Sequence, residues 1–191
     1  MKKGLLIIIS GPSGVGKGTV RNFFMNDESL NLAYSISMTT RTPRANEVDG
    51  KDYFFTTREK FEEEIKNGGL LEWAEFVGNY YGTPMNYVEE LRNQGKNVLL
   101  EIEVQGATQV REKCPDALSI FIIPPSMEEL ERRIRGRRSE AEEIVQQRLA
   151  KASKEMQMIK DYKFVVCNED PQLAADMIAL IIRRYQRLSA D

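Results

Sequence analysis

Short apolar runs alternate along the chain with longer stretches in which apolar positions recur at helical spacing. Residues 5–10, 98–104, 117–123 and 164–167 read as strands, and residues 17–25, 106–113, 126–135 and 171 to about 188 as helices. This alternation predicts an α/β fold in three layers, a parallel sheet with helices on both faces. Start and stop signals sharpen the boundaries. Ser126 with Glu129 and Ser139 with Glu142 have capping-box spacing, and Thr83-Pro84 reads as a cap with proline in the first helical position. Gly68-Gly69 and Gly95 stand where helices over 58–66 and 84–93 should end. Two stretches depart from the rhythm. Residues 36–83 mix short strand patterns, at 52–55 and 70–77, with turns rich in Arg, Tyr, Thr and Glu, and read as a small mixed α/β insertion. Residues 128–148 carry dense charge of both signs with little apolar content, and read as a helical flap.

Composition narrows the chemistry. A chain of 191 residues without repeats or linkers is expected to form one domain. A formal net charge of -2 provides no global attraction to nucleic acid or to an anionic membrane, so any anion site has to be built locally. There is no histidine, which excludes Ser-His-Asp triads, histidine-ligated zinc and imidazole acid-base catalysis. Cys114 and Cys167 are the only cysteines and have no metal-like spacing, as expected in a reduced compartment. The first apolar run, residues 5–9, is too short for a secretory signal or a membrane span, and a cytoplasmic location is expected.

Local anion chemistry appears at once. Gly11-Pro12-Ser13-Gly14-Val15-Gly16-Lys17 follows a strand and opens a helix, the context that a G-x-x-x-x-G-K phosphate loop requires. Its glycines let the backbone turn successive N–H groups toward phosphate oxygens, Lys17 adds a full charge, and the helix N-terminus adds its dipole. Gly18 takes the place where such loops usually have the hydroxyl that meets magnesium, and Thr19 comes one residue later. Direct ligation of the metal by this loop is therefore not expected. A switch GTPase would also carry Asp-x-x-Gly and Asn-Lys-x-Asp, and neither occurs.

The insertion offers Ser37, then Thr39-Thr40-Arg41-Thr42-Pro43-Arg44, Asp52-Tyr53, Glu72-Trp73 and Gly78-Asn79-Tyr80-Tyr81-Gly82-Thr83. Arg41 and Arg44 present two guanidinium forks to a phosphate, and Tyr53 and Tyr81 two hydroxyls. Residues 98–103 form an apolar run ending in acid, with Glu101 and Glu103 on one side of a strand by its period of two. At these residues the chain closely resembles guanylate kinase. The similarity continues through Glu101-Ile102-Glu103-x-Gln105-Gly106, an Arg-x-x-Gly-Arg run ending at Arg137, and Val166-x-Asn168, and covers essentially the whole chain.

The resemblance implies a P-loop kinase fold and transfer of the γ-phosphoryl group of ATP, with Mg2+, to GMP. It implies a core of about residues 1–35, 84–125 and 149–191, a GMP-binding region of about 36–83 and a lid of about 126–148. Gly11, Pro12, Ser13, Gly14, Val15, Gly16, Lys17, Gly18 and Thr19 would cradle ATP, and Asn168 would meet adenine. Arg41, Arg44, Tyr53 and Tyr81 would hold the GMP phosphate, and Glu72 would read guanine N1–H and N2, assisted by Ser37 and Thr83. Glu103 would touch GMP, while Glu101 and Thr19 would act near the metal through water. Lys17, Arg41, Arg133, Arg137 and Arg148 would stabilise the transferring phosphoryl group. ATP and GMP are the implied partners, with no nucleic acid or membrane; the oligomeric state stays open. Two other readings remain, a protein-binding module built on the same fold and a P-loop kinase acting on another monophosphate.

Overall fold

The computed structural model describes residues 2–136 and 141–188. Strand β1 (Leu6–Ser10) is buried along its whole length and forms the centre of a five-stranded sheet. On either side lie β7 (Asn97–Glu101) and β8 (Leu118–Ile123), with β2 (Leu32–Tyr34) and β9 (Phe164–Cys167) at the edges, all pairing in parallel. Near-continuous Ile, Leu and Val in the central strands follow from burial on both faces. Ile7 and Ile9 pack on one side with α1 (Lys17–Phe24), α5 (Met127–Gly136), α6 (Glu142–Met156) and α7 (Pro171–Leu188). Leu6 and Ile8 pack on the other with α3 (Met85–Asn93) and α4 (Val104–Lys113). The expected three layers are present. Strand order reverses at β1, so the loops that leave β1 and β7 open a crevice at the carboxyl ends of the strands.

The insertion forms a second, mixed sheet in the order β4 (Phe54–Phe55), β3 (Met38–Thr39), β6 (Asn79–Pro84), β5 (Leu70–Phe76), with α2 (Arg58–Lys66) beside it. Thr57 caps α2 by accepting from the Lys60 N–H. The edge of β5 is closed by side chains of α4. The Gln109 amide accepts from the Trp73 N–H at 3.1 Å and donates to the Trp73 carbonyl at 3.0 Å, and Lys113 donates to the Leu70 carbonyl at 2.7 Å. These groups satisfy backbone that would otherwise be an open edge, and they tie the insertion to the core.

Several sequence expectations change in the folded chain. Strand β7 ends at Glu101 and Glu103 is the N-cap residue of α4, so the two acids are not on one strand. Helix α3 is capped by Pro84 and not by Thr83, whose hydroxyl is directed elsewhere. Ser126 caps α5 through the Glu129 N–H, but Glu129 turns to Arg132 and Arg133 instead of completing the box. Helix α6 starts at Glu142 with Ala141 as N-cap; Ser139 lies outside the described residues. Leu130 and Ile134 of α5 and Val145 of α6 are buried in the core, so both helices are packed despite their charge. No helix among the described residues is long and apolar enough to cross a membrane.

Candidate active site

The loop after β1 makes a compact turn into α1. Gly16, the N-cap residue, has φ 98°, and a Cβ there would lie 2.7 Å from Asn168 Nδ2. Only glycine satisfies both conditions. Behind the loop, Asn168 is 2% exposed and donates to the Val15 carbonyl at 2.7 Å, and Arg133 donates to the carbonyls of Val15 and Asn168 at 3.3 and 3.0 Å. The Val15 side chain is in the core and its N–H donates to Pro12. Val15, Asn168 and Arg133 thus brace the loop from behind.

In front of the loop is a cavity of about 500 Å³, lined by Gly11, Ser13, Gly14, Gly16, Lys17, Gly18 and Thr19 and closed by Arg21, Glu101, Glu103 and Glu155. Lys17 Nζ donates to the carbonyls of Gly11 and Pro12 at 2.6 and 3.2 Å. Burial pulls its pKa below the ordinary lysine value, against the opposing pull of Glu101, Glu155 and Glu103. A partly desolvated ammonium beside a glycine-rich turn at a helix N-terminus is suited to an anion.

A second cavity, of about 470 Å³, shares Glu101, Ile102 and Glu103 with the first and is otherwise lined by residues including Ser37, Tyr53, Glu72, Tyr81, Gly106 and Lys151. Glu72 is 8% exposed, and the Thr83 hydroxyl donates to Glu72 Oε1 at 2.5 Å. Burial raises its pKa, and the Thr83 hydrogen bond and the Lys113 charge oppose that shift. A buried carboxylate fixed through one oxygen presents the other as an acceptor, suited to a pair of ring N–H donors.

The arginines are distributed less simply. Arg41 is clasped by Glu47 at 2.8 and 2.9 Å and its guanidinium lies 5.4 Å from the centre of the Tyr53 ring. The hydrogen bonds to Glu47 hold the Arg41 pKa above its ordinary value and that of Glu47 below it. Arg44 donates its backbone N–H to Glu47. Neither arginine lines the second cavity; Arg41 stands against its Tyr53. Arg148 of α6 donates to Ser13 Oγ at 3.1 Å, reaching the front of the loop. Arg137 lies outside the described residues.

Four further residues of the site carried no role in the sequence. Arg21 pairs with Glu101 at 2.8 Å and stacks over Tyr34; it is one helical turn beyond Lys17, the spacing that shares a face. Lys151 and Glu155 follow Arg148 along one face of α6. Gly106 stands in a matched motif, but its closeness to Glu72 depends on how α4 packs against β5.

The model of the guanylate kinase family matches residues 3–185. The chain belongs to the guanylate kinase family. It is 55% identical to a guanylate kinase of Bacillus cereus over 95% of this chain and 88% of that one. To the guanylate kinase of Lactococcus lactis subsp. lactis it is 53% identical over the same shares. The crystal structure of guanylate kinase from Anaplasma phagocytophilum superposes with a TM-score of 0.71 at 37% identity, covering 97% of this chain and 87% of that one.

In this member of the guanylate kinase family the second cavity has no room for a side chain at Gly106. A Cβ there would lie 2.7 Å from Glu72 Oε2, the oxygen that Thr83 leaves open. Gly106→Ala is therefore expected to displace the Glu72 carboxylate and, if that carboxylate meets one of the two nucleotides, to raise KM for it by roughly tenfold, the cost of one misplaced polar contact, with KM for the other unchanged. Steady-state kinetics with each substrate varied in turn would check this; an unchanged pair of constants would contradict it.

Proposed function

We propose that this chain transfers the γ-phosphoryl group of ATP to GMP, giving ADP and GDP. The observation that carries the reading is the pair of cavities meeting at Glu101, Ile102 and Glu103, one built on the Lys17 loop and the other on the buried Glu72 carboxylate. Guanine presents N1–H and the N2 amino group to an acceptor. Adenine presents an unprotonated N1, which would leave Glu72 facing a lone pair. Ser37 and Thr83 serve the same recognition, Thr83 by fixing Glu72.

The acceptor supplies its own nucleophile. A phosphate monoester has a second pKa of about 6, so a GMP oxygen is mostly deprotonated at neutral pH and needs no histidine. The protein has to hold two polyanions in line, exclude water and offset charge. Gly11 to Thr19 bind the triphosphate, with Lys17 as the charge nearest the transferring group. Arg148, already in contact with Ser13, reaches the triphosphate from the lid, and Arg133 meets the loop carbonyl of Val15; Arg137, outside the described residues, is assigned to the same phosphates by the family motif alone. Tyr53, Tyr81, Arg41 and Arg44 receive the GMP phosphate, which competes with Glu47 for Arg41. Asn168 borders the adenine position and also holds Val15.

Among the described residues no cluster of three or more Cys, Asp or Glu could hold a metal by itself. Glu101 and Thr19 both line the loop cavity and are hard oxygen donors, which fits Mg2+ brought in with ATP and held in part through water. The ion would help neutralise the phosphate charge. The chain acts as one domain, in which residues 36–83 bind GMP and 126–148 form the lid, and it works in the cytoplasm in purine nucleotide metabolism.

A coupled assay of ADP release with GMP, AMP, CMP and UMP tests the reading. GMP-dependent turnover well above that with the other three is expected. A preference for AMP would overturn the base assignment, and the absence of turnover with any monophosphate would favour a binding module.

A further inference from the structure

Three carboxylates, Glu101, Glu103 and Glu155, line the cavity that has to receive a polyanion. Left uncompensated, they would repel both substrates at the point where the phosphates meet. Glu101 is matched by Arg21 at 2.8 Å. Glu103 and Glu155 both pair with Lys151, whose Nζ lies 2.8 Å from Glu103 and 3.8 Å from Glu155, and the charge of Lys17 acts on both from further away. Lys151 also lines the Glu72 cavity, while Glu155 lines the loop cavity and Glu103 lines both. One ammonium on α6 therefore connects the helix that carries Arg148, the N-cap of α4 and both substrate cavities.

We propose that Lys151 is a positioning residue of the acceptor site, holding Glu103 at the junction of the two cavities and offsetting its charge against the incoming GMP phosphate. The inference rests on the proposed reaction only for the identity of that anion. Burial works against the Lys151 ammonium, but the hydrogen bond and charge of Glu103, with the charge of Glu155, outweigh it, and the pKa lies above the ordinary lysine value. The cation is present throughout the neutral range. Replacing it with an uncharged side chain leaves two neighbouring carboxylates facing the nucleotide, and Glu103 loses the contact that fixes its rotamer.

The test is GMP binding by calorimetry to the full chain and its Lys151→Met and Lys151→Arg variants, with GMP kinetics alongside. Lys151 is half-exposed, so loss of its charge is expected to weaken GMP about fivefold at low salt, the upper range for an exposed pair. In about 1 M salt, where the screening length is about 3 Å, the difference should shrink. Lys151→Arg should bind nearly as the parent does, and Lys151→Met should have little further effect in a Glu103→Gln background. A purely structural role would predict neither the salt dependence nor the coupling to Glu103. Equal GMP affinity of the parent and Lys151→Met, or a loss that persists undiminished in Glu103→Gln, would overturn the proposal. If the parent binds GMP but does not phosphorylate it, the reaction reading fails while the binding comparison still decides the role of Lys151. If the parent does not bind GMP, both fail.

Discussion

Lys17→Ala is expected to lower kcat by roughly 10²–10³-fold, the usual effect of removing one preorganised charge from a developing anion. The fold should not suffer. Burial depresses the Lys17 pKa, so the charged side chain is disfavoured in the folded chain relative to the unfolded one. That cost is fully present below the folded pKa and disappears as pH rises through the unfolded value. At neutral pH the variant gives up two hydrogen bonds to loop carbonyls but is relieved of a desolvated cation. Thermal unfolding at neutral pH is expected to be close to that of the parent. A variant with unchanged kcat would show that the loop only binds; a large loss of melting temperature would show that Lys17 holds the fold.

Glu72→Gln should separate the two substrates. An amide in place of the carboxylate sets an N–H donor against the donors of guanine, and the unpaired buried groups should raise KM for GMP roughly 10- to 100-fold, with KM for ATP nearly unchanged. The same residue predicts a pH dependence. The pKa of Glu72 is raised, first by burial and further by the charge of Glu103, with Thr83 and Lys113 opposing. As pH falls through this raised value the carboxyl gains a proton and loses its acceptor for guanine. kcat/KM for GMP should therefore fall on an acid limb to which Glu72 adds its own ionisation beside that of the GMP phosphate, and the limb should be shallower in Glu72→Gln. Stability has the opposite sign. A raised folded pKa means that the charged form costs stability above that pKa, and the cost vanishes below the unfolded value. Glu72→Gln should thus be at least as stable as the parent at neutral pH. An equal loss for ATP and GMP, or an acid limb as steep in the variant as in the parent, would contradict this account.

The phosphate loop is legible in the sequence because its information is contiguous. Strand, glycines, lysine and helix follow one another within a single turn, and the structure keeps that order. The five-stranded sheet is legible in its long apolar strands but not in β2, three residues at a sheet edge, nor is β3, two residues long, in the second sheet. Such short pairings take their stability from neighbours distant in sequence and leave little periodicity to read. Residues 79–84 read in the sequence as a motif running into a helix start, but they form β6, whose pairing with β5 turns Thr83 toward Glu72.

The site shows the same division. Glu72, taken with its sequence neighbours alone, looks like a surface charge on an edge strand. Gly106 and Thr83 enclose it, and their positions are set by tertiary packing. Glu101 and Glu103 reach one site, but by a strand end and a helix cap and not by strand alternation. The family motif puts Arg133 on the triphosphate; in the structure its guanidinium meets the carbonyls of Val15 and Asn168, contacts that a charge count does not reveal. Arg21, Lys151 and Glu155 do leave a signal, helical spacing from Lys17 and Arg148, that becomes meaningful only once those two are placed in the site.

The most direct measurement follows the phosphoryl group itself. With ATP labelled at the γ-phosphorus, Mg2+ and equal amounts of GMP and AMP, the label should appear in the β-phosphate of GDP in step with ATP consumption, and little should reach inorganic phosphate. Label recovered only as inorganic phosphate, or transferred to AMP in preference to GMP, would contradict a donor loop at Lys17 facing a guanine site at Glu72.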